Sequence, residues 1–384
     1  MTLSAIRGAR IFDGETWHED AAVVVSGGRV ESIVPETDIP AGAEIVSCGG
    51  GILVPGFVDL QVNGGGGVML NDQPTVEGLR TICSAHARFG TTALLPTLIT
   101  DTPETTAAVI AAGRQAVEQN MPGFAGLHLE GPHLSLARKG AHDPALIRQM
   151  DTADLDLLLS CRDAFPAMMI TVAPENVTEE QVSLLAAAGF VVSLGHTDAG
   201  FETVERYAKA GASTVTHLFN AMSPLGHREP GMVGAALDNG HLHAGLIADG
   251  IHVHPAAMGL ALRAKQGPGR IFVVTDAMSP IGTDLTSFTL NGREILRRDG
   301  RLTLADGTLA GADIDMLASV HVLHRRLGLP LEEALRMVSV YPAEAARLHP
   351  KGSLKSGFDA DFVLLTDDLQ MTSTWIGGAV AYQA

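Results

Sequence analysis

The chain is poor in bases, in aromatic residues and in cysteine. Lysine and arginine number 26 against 43 aspartates and glutamates, a formal net charge of −17. A surface this acidic repels a phosphate backbone, which excludes nucleic-acid binding as the main activity. A single anionic metabolite stays possible, because local cations dominate inside a cleft. Two tryptophans and three tyrosines do not make an aromatic recognition surface. The three cysteines, Cys48, Cys83 and Cys161, are odd in number, widely spaced and without a CxxC. That pattern excludes a disulfide framework or a structural zinc knuckle, and a reducing cytoplasm is the expected location. No apolar run approaches the ~20 residues a bilayer span requires. Met1–Gly8 also lacks the basic segment and apolar run of a signal peptide. No membrane partner is expected.

What the chain does have is aliphatic: 46% of its 384 residues are apolar and 43 are glycine. That length allows two or three domains, or one large barrel with an accessory piece. Residues 1–55 carry short β-branched runs (Ala21–Val25, Arg29–Val34, Ala43–Val46) broken by glycine turns. Residues 350–384 read the same way (Asp361–Leu365, Ala379–Tyr382), which predicts one small accessory β-sandwich built from both chain ends. Between them, eight short apolar runs alternate with helical spacing: Gly56–Asn63, Thr92–Thr97, Gly126–Glu130, Met169–Ala173, Val191–His196, Val215–Asn220, Ala244–Asp249 and Ile271–Asp276. Continuous apolar strands alternating with helices mean a parallel sheet buried on both faces, and eight of them predict a (β/α)8 TIM-type barrel over 56–349. After the eighth run, Asn291-Gly292 and Asp299-Gly300 punctuate three short strands, a β-rich insertion at about 283–310.

In such a barrel the active site lies at the C-terminal ends of the strands. The residues there include Gln61, Asn63, Thr97, Glu130, Glu175, His196, His217, Asp249 and Asp276. Any one of them is as readily a solvated rim residue; the convergence of several is harder to explain that way. Ten of the fifteen histidines fall between His128 and His254, one third of the chain. Glu130, His196 and His217 form a His₂Glu set from three strands, one of the ligand sets of catalytic zinc, with the fourth position left to water. Zn²⁺ suits it best; Fe²⁺, Co²⁺ or Mn²⁺ could occupy the same ligands. Asp276 is placed to take a proton from a metal-activated water and pass it on, or else it caps the following segment. Gln61 and Asn63 are neutral amides and poor ligands, so one tightly held divalent ion is expected. Arg228, in the loop after the sixth run, either binds a phosphate or carboxylate or pairs with Glu229.

These residues sit in a specific set of motifs. They are His128-Leu129-Glu130-Gly131-Pro132-His133, Lys139-Gly140-Ala141-His142, Gly195-His196-Thr197-Asp198-Ala199, Thr216-His217-Leu218-Phe219-Asn220-Ala221-Met222, Gly245–Val253 and Val274-Thr275-Asp276-Ala277. Running in order from about residue 50 to 350, they resemble the N-acetylglucosamine-6-phosphate deacetylases of the amidohydrolase superfamily. The resemblance implies hydrolysis of the acetamide of an acetylated phosphosugar, with Glu130, His196 and His217 holding the ion and Asp276 as base and then acid. It also implies that His142 polarises the acetamide carbonyl. Ala141, His142, Asn220, Ala221, Arg228, Asp249, Gly250, Ile251 and His252 would meet the phosphosugar, with Leu309, Ala310, Gly311 and Ala312 as another wall. Members with Gln-x-Asn on strand 1 are the single-metal kind, and the family is typically a homodimer whose phosphate site draws on the neighbouring subunit. The chain departs from the family at His133, often an aromatic, and at Asp313 and Asp315, which add two carboxylates after the Leu309–Ala312 wall. Rival readings are a deacetylase or cyclic-amide hydrolase of the same barrel acting on another substrate, and a catalytically silent binding barrel.

Overall fold

The structure is a computed structural model and describes residues 3–384. Eight parallel strands form its centre: β1 Phe57–Val62, β2 Thr91–Ile99, β3 Gly126–Glu130, β4 Ala167–Val172, β5 Val191–Leu194, β6 Thr214–Val215, β7 His243–Ile247 and β8 Ile271–Val274. Neighbours pair in this order, and a two-residue strand, Gly123–Phe124, adds to β2. The ring closes where Val62 bridges Ala277 and Asp276 N–H donates to Gln61 O at 2.9 Å. The expected (β/α)8 barrel is therefore observed, although β6 is only two residues long where the sequence predicts six. His217, just past its end, already has φ +27°, so the chain leaves the strand early.

Strand alternation decides what fills the barrel. In β3, Leu127 and Leu129 face the helices, while His128 and Glu130 face the lumen. Leu127 packs so closely on the helix Pro103–Glu118 that a Cβ on Gly113 would lie 2.9 Å from it. The outer helices begin where their caps dictate. Thr75 and Thr102 accept from Gly78 N–H and Thr105 N–H, and Asp151 with Asp154 and Thr178 with Gln181 form capping boxes. Among the described residues no helix is long and apolar enough to cross a membrane.

Both chain ends meet in one sheet: Ile52–Pro55 lies between Arg10–Phe12 and Phe362–Leu365. A second, four-stranded sheet packs on it through Ile6, Val23, Leu53, Phe362 and Leu364. The insertion after β8 is a four-stranded antiparallel sheet of Ser287–Leu290, Arg293–Arg298, Arg301–Thr303 and Leu309–Ala312. Its two tight turns have positive φ at Asn291-Gly292 and Asp299-Gly300, the mirror-type hairpin geometry. The fourth strand, expected only as a wall, completes it. This sheet builds its own small core with Met69, Ile99 and Met278, directly above the C-terminal end of the barrel.

Candidate active site

Three strand ends bring three donor atoms together. His196 Nε2 and His217 Nε2 each lie 3.2 Å from Glu130 Oε1 and 3.1 Å from one another. Ligand bonds of about 2.0–2.1 Å at tetrahedral angles need donor separations of about 3.3 Å. The triangle is therefore already the size of one tetrahedral face. His196 Nδ1 donates to Arg138 O at 2.8 Å, which fixes the proton there and leaves Nε2 free to ligate. Burial opposes charge on Glu130, but the neighbouring His196 and His217 imidazoles hold its carboxyl well below the ordinary range. Burial opposes charge on His217 too, and Glu130 outweighs it, so that imidazole is shifted upward. Both shifts arise from one contact, the carboxylate against the imidazole. The residues fit a divalent ion.

His142 also offers a nitrogen within 4.8 Å of the Glu130 and His196 donors, so proximity alone permits a second triad. Its hydrogen bonds argue otherwise. Thr100 N–H donates to His142 Nδ1 at 3.3 Å, and the Thr100 hydroxyl lies 2.8 Å from the same nitrogen. The proton then resides on Nε2, a donor and not a ligand. Burial, reinforced by His196, pushes the ring down to about 3, so it is neutral. The His217 triad has the shorter edges.

Gln61 and Asn63 occupy the ground beside the triangle. Gln61 Nε2 donates to both Glu130 oxygens (3.1 and 3.2 Å) and to Asp276 Oδ1 (3.2 Å). Asn63 Nδ2 donates to Asp276 Oδ1 at 2.7 Å. Neutral amide hydrogens thus bridge the two carboxylates. Burial raises the Asp276 carboxyl and Glu130 adds to it. His196, His217 and Asp276 all turn the chain with positive φ (+47°, +27°, +53°), a strained conformation of the kind found where side chains are aimed for function.

These groups share a cavity of about 430 Å³, within the usual range for a small-molecule site. Of the strand-end and site residues named from the sequence, Asn63, Glu130, Ala141, His142, His196, His217, Asn220, Ala221, His252, Asp276, Leu309 and Gly311 line it. The others do not. Ala310 and Ala312 alternate to the opposite face of their strand, Ala310 into the small core and Ala312 N–H onto Asp276 O. Asp249 stands behind His252 and accepts its ring nitrogen at 2.6 Å; Gly250 and Ile251 turn the chain around that pair. Arg228 is exposed in the loop after β6 and makes no ion pair among the described residues; Glu229 instead accepts from Phe201 and Gly231 N–H. Glu175 lies beyond the end of β4 and accepts from the Thr197 hydroxyl and Asp198 N–H, outside the cavity. Asp313 pairs with Arg297 at 2.8 Å and Asp315 caps the next helix, and neither lines the cavity. His133 is buried against Arg148 O.

Leu290, Gly307 and Thr308 also line the cavity, from an insertion whose docking no local pattern encodes, and Met278 lies in the segment just before it; the sequence reading missed all four. Asn63 and Gln61 had a signal, their place at the end of β1.

The chain is similar to proteins of known activity. It is 45% identical to the N-acetylgalactosamine-6-phosphate deacetylase of Shewanella sp. (strain ANA-3), over 87% of this chain and 84% of that one. It is 35% identical to the N-acetylglucosamine-6-phosphate deacetylase of Haemophilus influenzae, over 94% of each. The crystal structure of N-acetylglucosamine-6-phosphate deacetylase from Pasteurella multocida superposes with a TM-score of 0.95 at 34% identity, covering both chains fully. The sequence profile of the amidohydrolase family matches residues 52–381, and with a strand-end donor triangle in a closed parallel barrel the conclusion is direct: the chain belongs to the amidohydrolase family.

Proposed function

We propose that this chain hydrolyses the acetamide of N-acetyl-D-glucosamine 6-phosphate to D-glucosamine 6-phosphate and acetate, in amino-sugar catabolism. The observation that carries the reading is the 3.1–3.2 Å triangle of Glu130, His196 and His217 beside Asp276 and His142 in one cavity. Glu130, His196 and His217 would hold a divalent ion, Zn²⁺ by ligand preference, which would supply Lewis acidity toward water and a carbonyl oxygen near neutral pH. Asp276, held in place by Asn63 and Gln61, accepts the proton of the attacking water. His142 Nε2–H donates to the acetamide oxygen as it becomes an oxyanion. Asp276 then protonates the nitrogen and the amine leaves. His252, braced by Asp249, and the Asn220–Ala221 turn form the side of the cavity left for the phosphosugar.

Arg228 fits a site completed across a homodimer: it is exposed and makes no ion pair among the described residues, which suits a role at a phosphate in the neighbouring subunit's cavity. Three free cysteines suit the cytoplasm. A second reading, N-acetyl-D-galactosamine 6-phosphate as preferred substrate, is favoured by the 45% identical relative. The test is acetate release from both phosphosugars and from their unphosphorylated forms, using protein of measured metal content. The first reading expects the glucosamine epimer to have the higher kcat/KM. A reversed ratio transfers the assignment to the second, and no release from either removes both.

A further inference from the structure

Beneath the donor triangle, the barrel lumen holds a continuous hydrogen-bonded chain of side chains from five strands. Val62 N–H donates to Thr97 Oγ1 at 2.9 Å, and the Thr97 hydroxyl donates to Leu95 O at 3.1 Å. His128 Nδ1 lies 3.3 Å from Thr97 Oγ1 and His128 Nε2 lies 2.7 Å from Thr171 Oγ1. Thr171 Oγ1 is 2.7 Å from Thr216 Oγ1, which is 2.6 Å from Ser193 Oγ. With the Thr97 proton held by Leu95 O, one polarisation satisfies every member. Ser193 donates to Thr216, Thr216 to Thr171, Thr171 to His128 Nε2, and His128 Nδ1–H to Thr97. All five residues are buried, at most 2% exposed.

Their placement is not random with respect to the triangle. His128 is two residues before Glu130 on β3, Ser193 three before His196 on β5, and Thr216 immediately before His217 at the end of β6. Thr171 on β4 spans the gap between β3 and the other two. The backbone entering His196 rests directly on this chain: a Cβ on Gly195 would stand 2.7 Å from Thr216 Cβ and 2.9 Å from Thr171 Cγ2. Aliphatic residues would fill the lumen as well and would need no partners. A fully satisfied polar chain instead constrains how the ligand-bearing strands sit against one another.

We propose that Thr97, His128, Thr171, Ser193 and Thr216 are positioning residues whose hydrogen-bonded chain sets the spacing of the Glu130, His196 and His217 donors and so the affinity for the ion. This rests on the metal-site reading above. The test is Zn²⁺ affinity of the metal-free full-length chain, by competition with a chromophoric chelator, alongside thermal melts of the same metal-free samples. Thr216→Val keeps the branched shape and removes two hydrogen bonds; Thr216→Ser keeps the hydroxyl and loses a methyl. Zn²⁺ affinity is expected to fall about 10–100-fold in T216V, the scale of lost support behind a metal ligand. In T216S it should stay within a few-fold of wild type. Ser193→Ala removes one terminal bond and should weaken Zn²⁺ about fivefold, so the idea remains testable if T216V fails to fold. Wild-type affinity in T216V, or in S193A, overturns the inference, as does a greater loss in T216S, which would mean that packing and not hydrogen bonding matters. A wild-type chain with no affinity for Zn²⁺ overturns the metal-site reading and this inference with it.

Discussion

Replacing His142 with alanine is the sharpest test of the chemistry, because the structure gives that residue a definite proton and a definite charge. Its Nδ1 accepts from Thr100 N–H, its Nε2 carries the hydrogen, and burial with His196 nearby pushes it down to about 3. The side chain is thus a neutral donor at every pH at which an enzyme of this kind is assayed. Removing one preorganised donor to a developing oxyanion costs about 2.7–4 kcal/mol, and each 1.36 kcal/mol is a factor of ten in rate, so kcat should fall about 10²–10³-fold. Bound metal should stay at the wild-type level, since the shorter-edged triangle excludes His142. The assay is steady-state acetate release at pH 6, 7 and 8.5, with metal content measured on the same samples. The fold-loss should be the same at all three. A loss present at pH 6 that vanishes by pH 8.5 would mean that a charged imidazolium does the work. Loss of metal with activity would make His142 a ligand. Either result refutes the assignment.

Asp276→Asn preserves an oxygen for the Asn63 and Gln61 amides, so the variant should fold and hold metal while turnover drops about 10²–10⁴-fold; near-normal kcat would remove Asp276 from proton transfer. Arg228→Ala should raise KM for the phosphorylated sugar and leave the unphosphorylated one nearly unchanged. Mixing R228A with D276N subunits should restore activity if the arginine serves the neighbouring site, and a mixture no better than its parts would place it in its own. Asp59 is buried beneath the site, its carboxyl 2.5 Å from the Thr275 hydroxyl, and burial pushes it up to about 7. The folded state therefore holds this proton more tightly than the unfolded chain, with its ordinary value of about 3.9. Its contribution to stability is full below about pH 4 and is lost as pH rises toward 7, by up to roughly 4 kcal/mol. Asp59→Asn should match wild type near pH 4 and melt higher at pH 8; a gap that does not change with pH would contradict the assigned proton.

Much of this was legible in the residue pattern. The apolar runs at Gly126–Glu130 and Ile271–Asp276 announce strands because nothing but a sheet buried on both faces suits them, and a carboxylate at the end of such a run stands out. Glu130, His196, His217 and Asp276 could be named for that reason. Arg228 was visible as a lone cation in an acidic chain, yet where it points depends on a loop that the pattern does not describe. The wall at Leu309–Ala312 was drawn as four contacts and is two, since a strand presents alternate residues and the run alone does not say which face looks inward. Gln61 and Asn63 were seen as poor ligands; that their amide hydrogens would brace both Glu130 and Asp276 required three dimensions. The left-handed turns at His196, His217 and Asp276 leave no trace in composition.

The sheet that joins the two chain ends has a consequence for synthesis. Arg29 reaches the carbonyl of Gly357 across a separation of 328 residues. At a translation rate of about 5–20 residues per second, roughly 15 to 65 s pass between the emergence of the two. Throughout that interval Ile52–Pro55 has one edge of backbone N–H and C=O groups with no neighbour, an invitation to a foreign strand. A chain that stops short of Phe362–Leu365 keeps that edge open, so truncation near the end costs the sheet its closing strand and not only a stretch of tail.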